Sequence, residues 1–176
     1  AGDLSLDDLM MKHIPETAER ITNGDQITLG MLLNHTAGIH DIATDINFNL
    51  SVLNDPDQEW SAESLVDAMA EKPARHEPGE GVRYSNSHYV LLGLILEEIT
   101  GRPHRDLMKE QIFDPLGMSE TVYYDFEDPF PLETLSQGYI DLNNDGGGIE
   151  NVTKLNTGNF GANGVYANVT DLYRFM

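Results

Sequence analysis

Tyr84, Ser85 and Asn86 place a phenol, a hydroxyl and a carboxamide side by side, just where a helix is about to start. His76-Glu77-Pro78-Gly79-Glu80-Gly81-Val82-Arg83 precedes them and Ser87 to Gly101, rich in leucine and isoleucine, follows. A free phenol titrates near ~10, so Tyr84 needs nearby cations to act as a base around neutrality. Ser85 has no lysine or histidine at a fixed local spacing to activate it, and reads as a loop hydroxyl. Without their flanks, Tyr84 and Asn86 would be a helix-entry aromatic and a plain N-cap.

Other polar clusters carry weaker chemistry. His35 and His40, with Asp41 and Asp45, suggest a metal site, but a spacing of five does not align two imidazoles on one helix face, and Gly38 breaks the helix. A structural His35, hydrogen-bonded to backbone, is the expectation. His76, His88 and His104 are scattered and read as surface residues. Asp141, Asn143 and Asp145, followed by Gly146, match the first half of a calcium loop. The second half fails, with Gly148 at the eighth position and Val152 at the twelfth, so an exposed acidic turn is expected. No cofactor is implied.

The chain has 176 residues, enough to bury a core as one domain or one lobe of a larger one. No apolar run reaches the roughly 18 residues of a membrane span; the longest, Tyr89 to Leu96, is a buried-helix candidate. The opening at Ala1, without a signal peptide, points to an upstream segment outside this sequence. Zero cysteines exclude disulfides and thiolate metal sites. The net charge of −20 opposes binding to nucleic acid and to anionic membranes. Dispersed acidic residues suit a solvated surface, and only four of the ten basic residues are lysines, which also fits a salt-adapted source.

The elements that must position these groups are mostly helical. Ser5 caps a helix over Leu6 to His13 that Pro15 ends, and Thr28 caps Leu29 to His35. Ser61 caps Ala62 to Ala70, with Leu65, Val66 and Met69 on one face. The central helix opens at Asn86 or Ser87 and runs to Thr100, with Gly101 as its stop and burial on most sides. His104 to Phe113 follows Pro103. Thr121 to Tyr124 and Leu135 to Ile140 read as short strands, Asn151 to Ala167 as a Gly-rich stretch with one hairpin, and Thr170 as the cap of a last helix from Asp171.

The stretch around Tyr84-Ser85-Asn86 resembles the second active-site motif of the serine β-lactamase and penicillin-binding-protein superfamily. The likeness is greatest to the branch of class C β-lactamases, D-Ala-D-Ala carboxypeptidases, D-aminopeptidases and β-lactamase-like esterases. Ile27 to Ile39 resembles that family's Leu-Leu-x-His-Thr-Ser-Gly segment, with Ala37 in place of the serine. Ile112 to Met118 is similar to a further segment, and Gly161 to Tyr166 to the Gly-rich turn before the last helix, with Asn163 where glycine is more usual. The resemblance implies that Tyr84 acts as general base in acylation and as acid toward the leaving group, and that Asn86 hydrogen-bonds the substrate's acyl-amide. Gly79 to Arg83 would set the approach of their loop.

The family's other two motifs have no match. The residues three positions before Lys12, Lys72, Lys109 and Lys154 are Leu9, Met69, Asp106 and Asn151, so no Ser-x-x-Lys is present. Asn156-Thr157-Gly158 has the last two residues of Lys-Thr-Gly but lacks the cation. The expectation is therefore a mainly α chain with small β elements. It would be the helical lobe, residues 1–176, of a β-lactamase/transpeptidase-like α+β fold without most of its antiparallel sheet. As an internal fragment of a serine hydrolase it would be inactive alone, its partners being an acyl substrate and the missing portions of the same fold. The resemblance favours a secreted or periplasmic location. A non-catalytic ligand-binding or interaction module on this scaffold, or a calcium-stabilised secreted domain, are the rival readings.

Overall fold

The computed structural model describes residues 4–55, 58, 60–123, 136–141, 148–152 and 160–176. Seven α-helices among them carry the architecture: α1 (Pro15–Arg20), α2 (Leu29–Leu33), α3 (Ile46–Asn54), α4 (Ala62–Met69), α5 (Asn86–Thr100), α6 (His104–Met108) and α7 (Val169–Phe175). Four two-residue strands among the described residues make two antiparallel ladders. β1 (Val122–Tyr123) pairs with β4 (Val165–Tyr166), Val122 opposite Tyr166, and β2 (Tyr139–Ile140) with β3 (Glu150–Asn151), Tyr139 opposite Asn151. The chain is thus mainly helical with small β elements.

α5 is the axle of this arrangement. Val90, Leu91 and Ile95 are buried along it, and α2 and α4 both pack on it, bringing Leu32, Leu65 and Met69 into the same core. Ser87, His88 and Gly93 are buried on the same helix, whereas Tyr89, Leu96 and Ile99 remain over a third exposed. Tyr89 and Leu96, with Leu4, Leu6, Leu29, Leu33 and Leu92, line an apolar groove of about 530 Å³. Gly101 ends the helix in the left-handed region at φ 63°, as a glycine beyond the last turn does at little steric cost.

Local chemistry explains most helix starts. Thr28 accepts from the Met31 N–H at the start of α2, and Ser61 and Ser64 form a reciprocal capping box on α4. Three expectations need correction. Leu6 to His13 is a turn followed by a short 3-10 helix (Met10–Lys12), because Leu9 bridges to Thr28 and ties the segment to a neighbour. Pro15 opens α1 rather than ending a helix, its fixed φ and missing N–H suiting the first helical position. The cap of α7 is Asn168, which accepts from the Asp171 N–H, two residues before Thr170. Asp171 itself is fully buried and accepts from the Glu120 N–H and the Thr121 hydroxyl.

Two of the three scattered histidines are likewise not surface residues. His88 is 0% exposed, and His104 is buried between the Glu97 carboxylate and the Tyr123 hydroxyl. His76 is half-buried. His104 stacks edge-on against Phe160, so its ring fills core space while its nitrogens find partners.

Candidate active site

Tyr84 and Asn86 meet at the N-terminal mouth of α5. Tyr84 is 61% exposed, and its hydroxyl donates to Asn86 Oδ1 at 3.2 Å. Among the described residues that is its hydrogen-bond partner, and no lysine or arginine shares it. The Tyr84 ring lies against the His35 imidazole with centroids 4.6 Å apart.

The sequence folds this way because two loops are stitched together. Arg83 N–H donates to His35 C=O at 2.9 Å and Gly79 N–H to Thr36 C=O at 2.8 Å, so the 79–83 segment runs along the 35–38 segment. Ser87 Oγ donates to His40 C=O at 2.7 Å and accepts from the Ile42 N–H at 3.1 Å. Ser85 is fully buried, its hydroxyl 3.5 Å from the same His40 carbonyl, consistent with a loop hydroxyl rather than a nucleophile.

The cap of α5 comes from outside the helix. Ser85 occupies the N-cap position but makes no side-chain capping bond. The buried Asp41 carboxylate does so instead: its Oδ1 accepts from the Asn86 N–H at 3.1 Å, from Asn86 Nδ2 at 3.1 Å and from the Ala43 N–H at 3.2 Å. A negative charge at a helix N-terminus is favourable there, and three N–H donors satisfy it.

Behind Tyr84 lies an imidazole pair. His35 adopts φ 61°, a left-handed backbone rare for a non-glycine residue, and its Nδ1 stands 3.0 Å from Nδ1 of His88. The Ser85 N–H also points at His35 Nδ1, at 3.4 Å, which makes that nitrogen the acceptor and His88 Nδ1 the donor. His88 Nε2 then carries a bare lone pair, buried without a hydrogen-bond partner among the described residues. Burial pushes the His88 pKa down to about 4, helped by neighbouring His35 and His76 and opposed by Asp41.

A cleft of about 310 Å³ opens beside Asn86, lined by Ile42, Ala43, Phe48, Val90, Ala162 and the three asparagines Asn49, Asn86 and Asn163. Among the described residues its lining carries no ionisable side chain. Its walls come from the 42–49 segment, α5 and the Gly161 turn, so segments far apart in sequence converge on one concavity.

The other candidates separate. His40 contacts Asp45 at 3.2 Å, and Asp45 also accepts from Lys72 Nζ at 2.7 Å, forming an ion pair below α3. Among the described residues no group of three or more histidines and carboxylates is placed to hold a metal. Asp141 is half-buried, while Asn143 and Asp145 lie outside the described residues. Sequence reasoning weighed Asp41 only as a metal ligand and missed its place beneath Asn86. Nothing local signals it, since the partners are 45 positions apart.

A sequence model of the β-lactamase family matches residues 1–176. A penicillin-binding protein of Bacillus subtilis is 33% identical over 65% of this chain and 25% of its own length. A D-stereospecific amidohydrolase from a Streptomyces species superposes with a TM-score of 0.86 at 28% identity, covering 99% of this chain and 53% of the other. A D-amino acid amidase from Ochrobactrum anthropi gives 0.81 at 28% identity, over 99% and 48%. The chain thus spans about a quarter of the curated relative and about half of each solved chain.

Proposed function

The chain belongs to the β-lactamase family, and from that premise we propose that it is the helical lobe of a serine hydrolase, supplying Tyr84 and Asn86 to one wall of the catalytic cleft. The single observation that carries this reading is the Tyr84–Asn86 hydrogen bond, exposed at the mouth of α5 beside an uncharged cleft. Asn86 lines that cleft and Tyr84 stands outside its lining, bonded to Asn86, so a phenol that can move a proton adjoins a carboxamide that can grip an amide.

In this reading a serine from another part of the parent enzyme attacks the acyl carbon. Its proton passes to the Tyr84 side of the cleft and then to the departing nitrogen or oxygen, leaving a serine ester. Water reverses the sequence and frees the acid. Asn86 holds the acyl-amide throughout. The cations that let a phenol work near neutral pH would come from the same missing segments, because neither Ser-x-x-Lys nor Lys-Thr-Gly occurs here. The apolar groove along Tyr89, Leu92 and Leu96 offers those segments a surface to pack on. Amides of D-amino acids are the first substrates to test, since one solved relative is named a D-amino acid amidase and the other a D-stereospecific amidohydrolase.

A fluorescent penicillin or fluorophosphonate tests the proposal directly on the full-length parent. Covalent labelling is the expected result. A folded, full-length protein that takes up neither label would overturn it.

A further inference from the structure

We infer that Asp41 is a positioning residue for the substrate-binding carboxamide: it sets which way round Asn86 faces the cleft. The inference rests on the proposed role of Asn86 and adds a residue to it.

A carboxamide has two nearly isosteric ends, and rotation by half a turn exchanges donor for acceptor. Here the choice is forced. Asp41 Oδ1 is a carboxylate oxygen and can only accept, so the group 3.1 Å from it must be Asn86 Nδ2. Oδ1 of Asn86 is left facing outward, where it already takes the Tyr84 hydroxyl hydrogen at 3.2 Å. One Nδ2 hydrogen remains for a substrate carbonyl and one Oδ1 lone pair for a substrate N–H, the two halves of an amide.

Asp41 is itself immobile. It is 5% exposed, and the same oxygen takes the backbone N–H of Asn86 and of Ala43. The first N–H of α5 and the side chain of its first residue therefore share one anchor. Ser87, bonded to the backbone on either side of Asp41, fixes the spacing between the two loops. A neutral apolar residue at 41 would leave the carboxamide free to rotate and the α5 terminus uncapped.

The test uses the full-length parent with two substrates, an acyl-amide such as a D-phenylalanine amide with an acylated amino group, and a simple activated ester without an acyl-amide. Asp41→Ala is expected to lower kcat/KM for the acyl-amide by on the order of tenfold or more, while the ester changes less than about threefold. Asp41→Asn retains an accepting oxygen and should recover part of the difference. In an Asn86→Ala background, Asp41→Ala should add little further selectivity loss, because the carboxamide it orients is gone. Equal losses on both substrates, with no recovery in Asp41→Asn, would mean that Asp41 only holds the fold and would overturn the inference. Should Asp41→Ala not fold, Asp41→Ser, whose shorter side chain withdraws the carboxylate from Asn86 Nδ2, takes its place, and equal losses on both substrates overturn the inference in the same way. A wild-type protein that cleaves neither substrate would instead remove the hydrolase reading itself, and the role of Asp41 with it.

Discussion

His35 and His88 face each other Nδ1 to Nδ1 across 3.0 Å, directly behind the exposed Tyr84 ring. Only one hydrogen fits between two such nitrogens, here the one on His88 Nδ1, so a proton added to His88 would sit on its buried Nε2, which has no hydrogen-bond partner among the described residues. Burial lowers the His88 pKa from 6.5 to about 4, so the unfolded chain takes up this proton first as pH falls. The stabilising preference for neutral His88 is complete above about 6.5 and is lost progressively between there and about 4.

The expected outcome is a fall in unfolding free energy across that window of roughly 3 kcal/mol, at about 1.4 kcal/mol for each unit. Urea denaturation at several pH values checks it. His88→Gln, which does not titrate, should show a distinctly shallower fall. An unchanged slope would show that another group controls the acid limb.

Asp45 titrates in a lower window. Lys72 donates to it and holds its pKa down near 2, against the opposing effect of burial, with the Phe48 and Asn47 N–H groups assisting. A depressed carboxyl pKa contributes stability above about 3.8 that disappears as pH falls toward 2. Asp45 also caps α3, accepting from Asn47 N–H at 2.9 Å and Phe48 N–H at 3.1 Å. Asp45→Ala should therefore cost about 1–2 kcal/mol at pH 7 from the cap alone. Its stability should also become flatter than wild type between pH 4 and 2, as chemical denaturation at both ends would show.

The parts legible in the sequence are those whose cause is local. The apolar positions of α5, its opening at Asn86 or Ser87 and the glycine beyond Thr100 lie within one window, and the structure runs the helix from Asn86 to Thr100. Ser61 and Thr28 were readable as caps for the same reason. α3 was not, because Ile46, Phe48, Leu50 and Val52 alternate as a strand would. Only Phe48 and Val52, four apart, are buried, and the cap that starts the helix is an aspartate first weighed as a metal ligand. Tyr84 and Asn86 could be placed together from their spacing, but their supports could not. His35 and His88, or Asp41 and Asn86, meet only after the 35–41 loop folds onto α5.

Two glycines separate backbone strain from collision. Gly161 has φ 65°, and a Cβ there would run into the carbonyl oxygen of Tyr89 on α5. Gly101 has φ 63° with nothing within 4 Å of the same added atom. Both alanine variants incur the left-handed penalty of about 1–3 kcal/mol. Gly161→Ala should lose clearly more, since the turn must also lift away from α5 and break the Gly161 N–H bond to the Tyr123 hydroxyl at 2.7 Å. Thermal melts of the two variants side by side measure the difference. Equal losses would mean that the turn yields without disturbing the helix.

Tyr84→Phe is the most direct probe of the chemistry. The hydroxyl reaches only Asn86 Oδ1 among the described residues, and the ring is largely exposed, so removing one oxygen leaves no buried group unpaired. Stability should therefore stay within about 0.5 kcal/mol of wild type, as for other surface substitutions. If Tyr84 moves the proton in acylation, kcat of the parent enzyme should nonetheless drop by about 10²–10⁴-fold, the usual worth of a positioned acid–base group. The ring still packs on His35 in the variant, so substrate affinity should change little and the loss should fall on kcat rather than KM. Steady-state kinetics alongside a melting curve distinguish these outcomes. Undiminished kcat in a normally folded Tyr84→Phe would place the proton transfer on another residue of the parent.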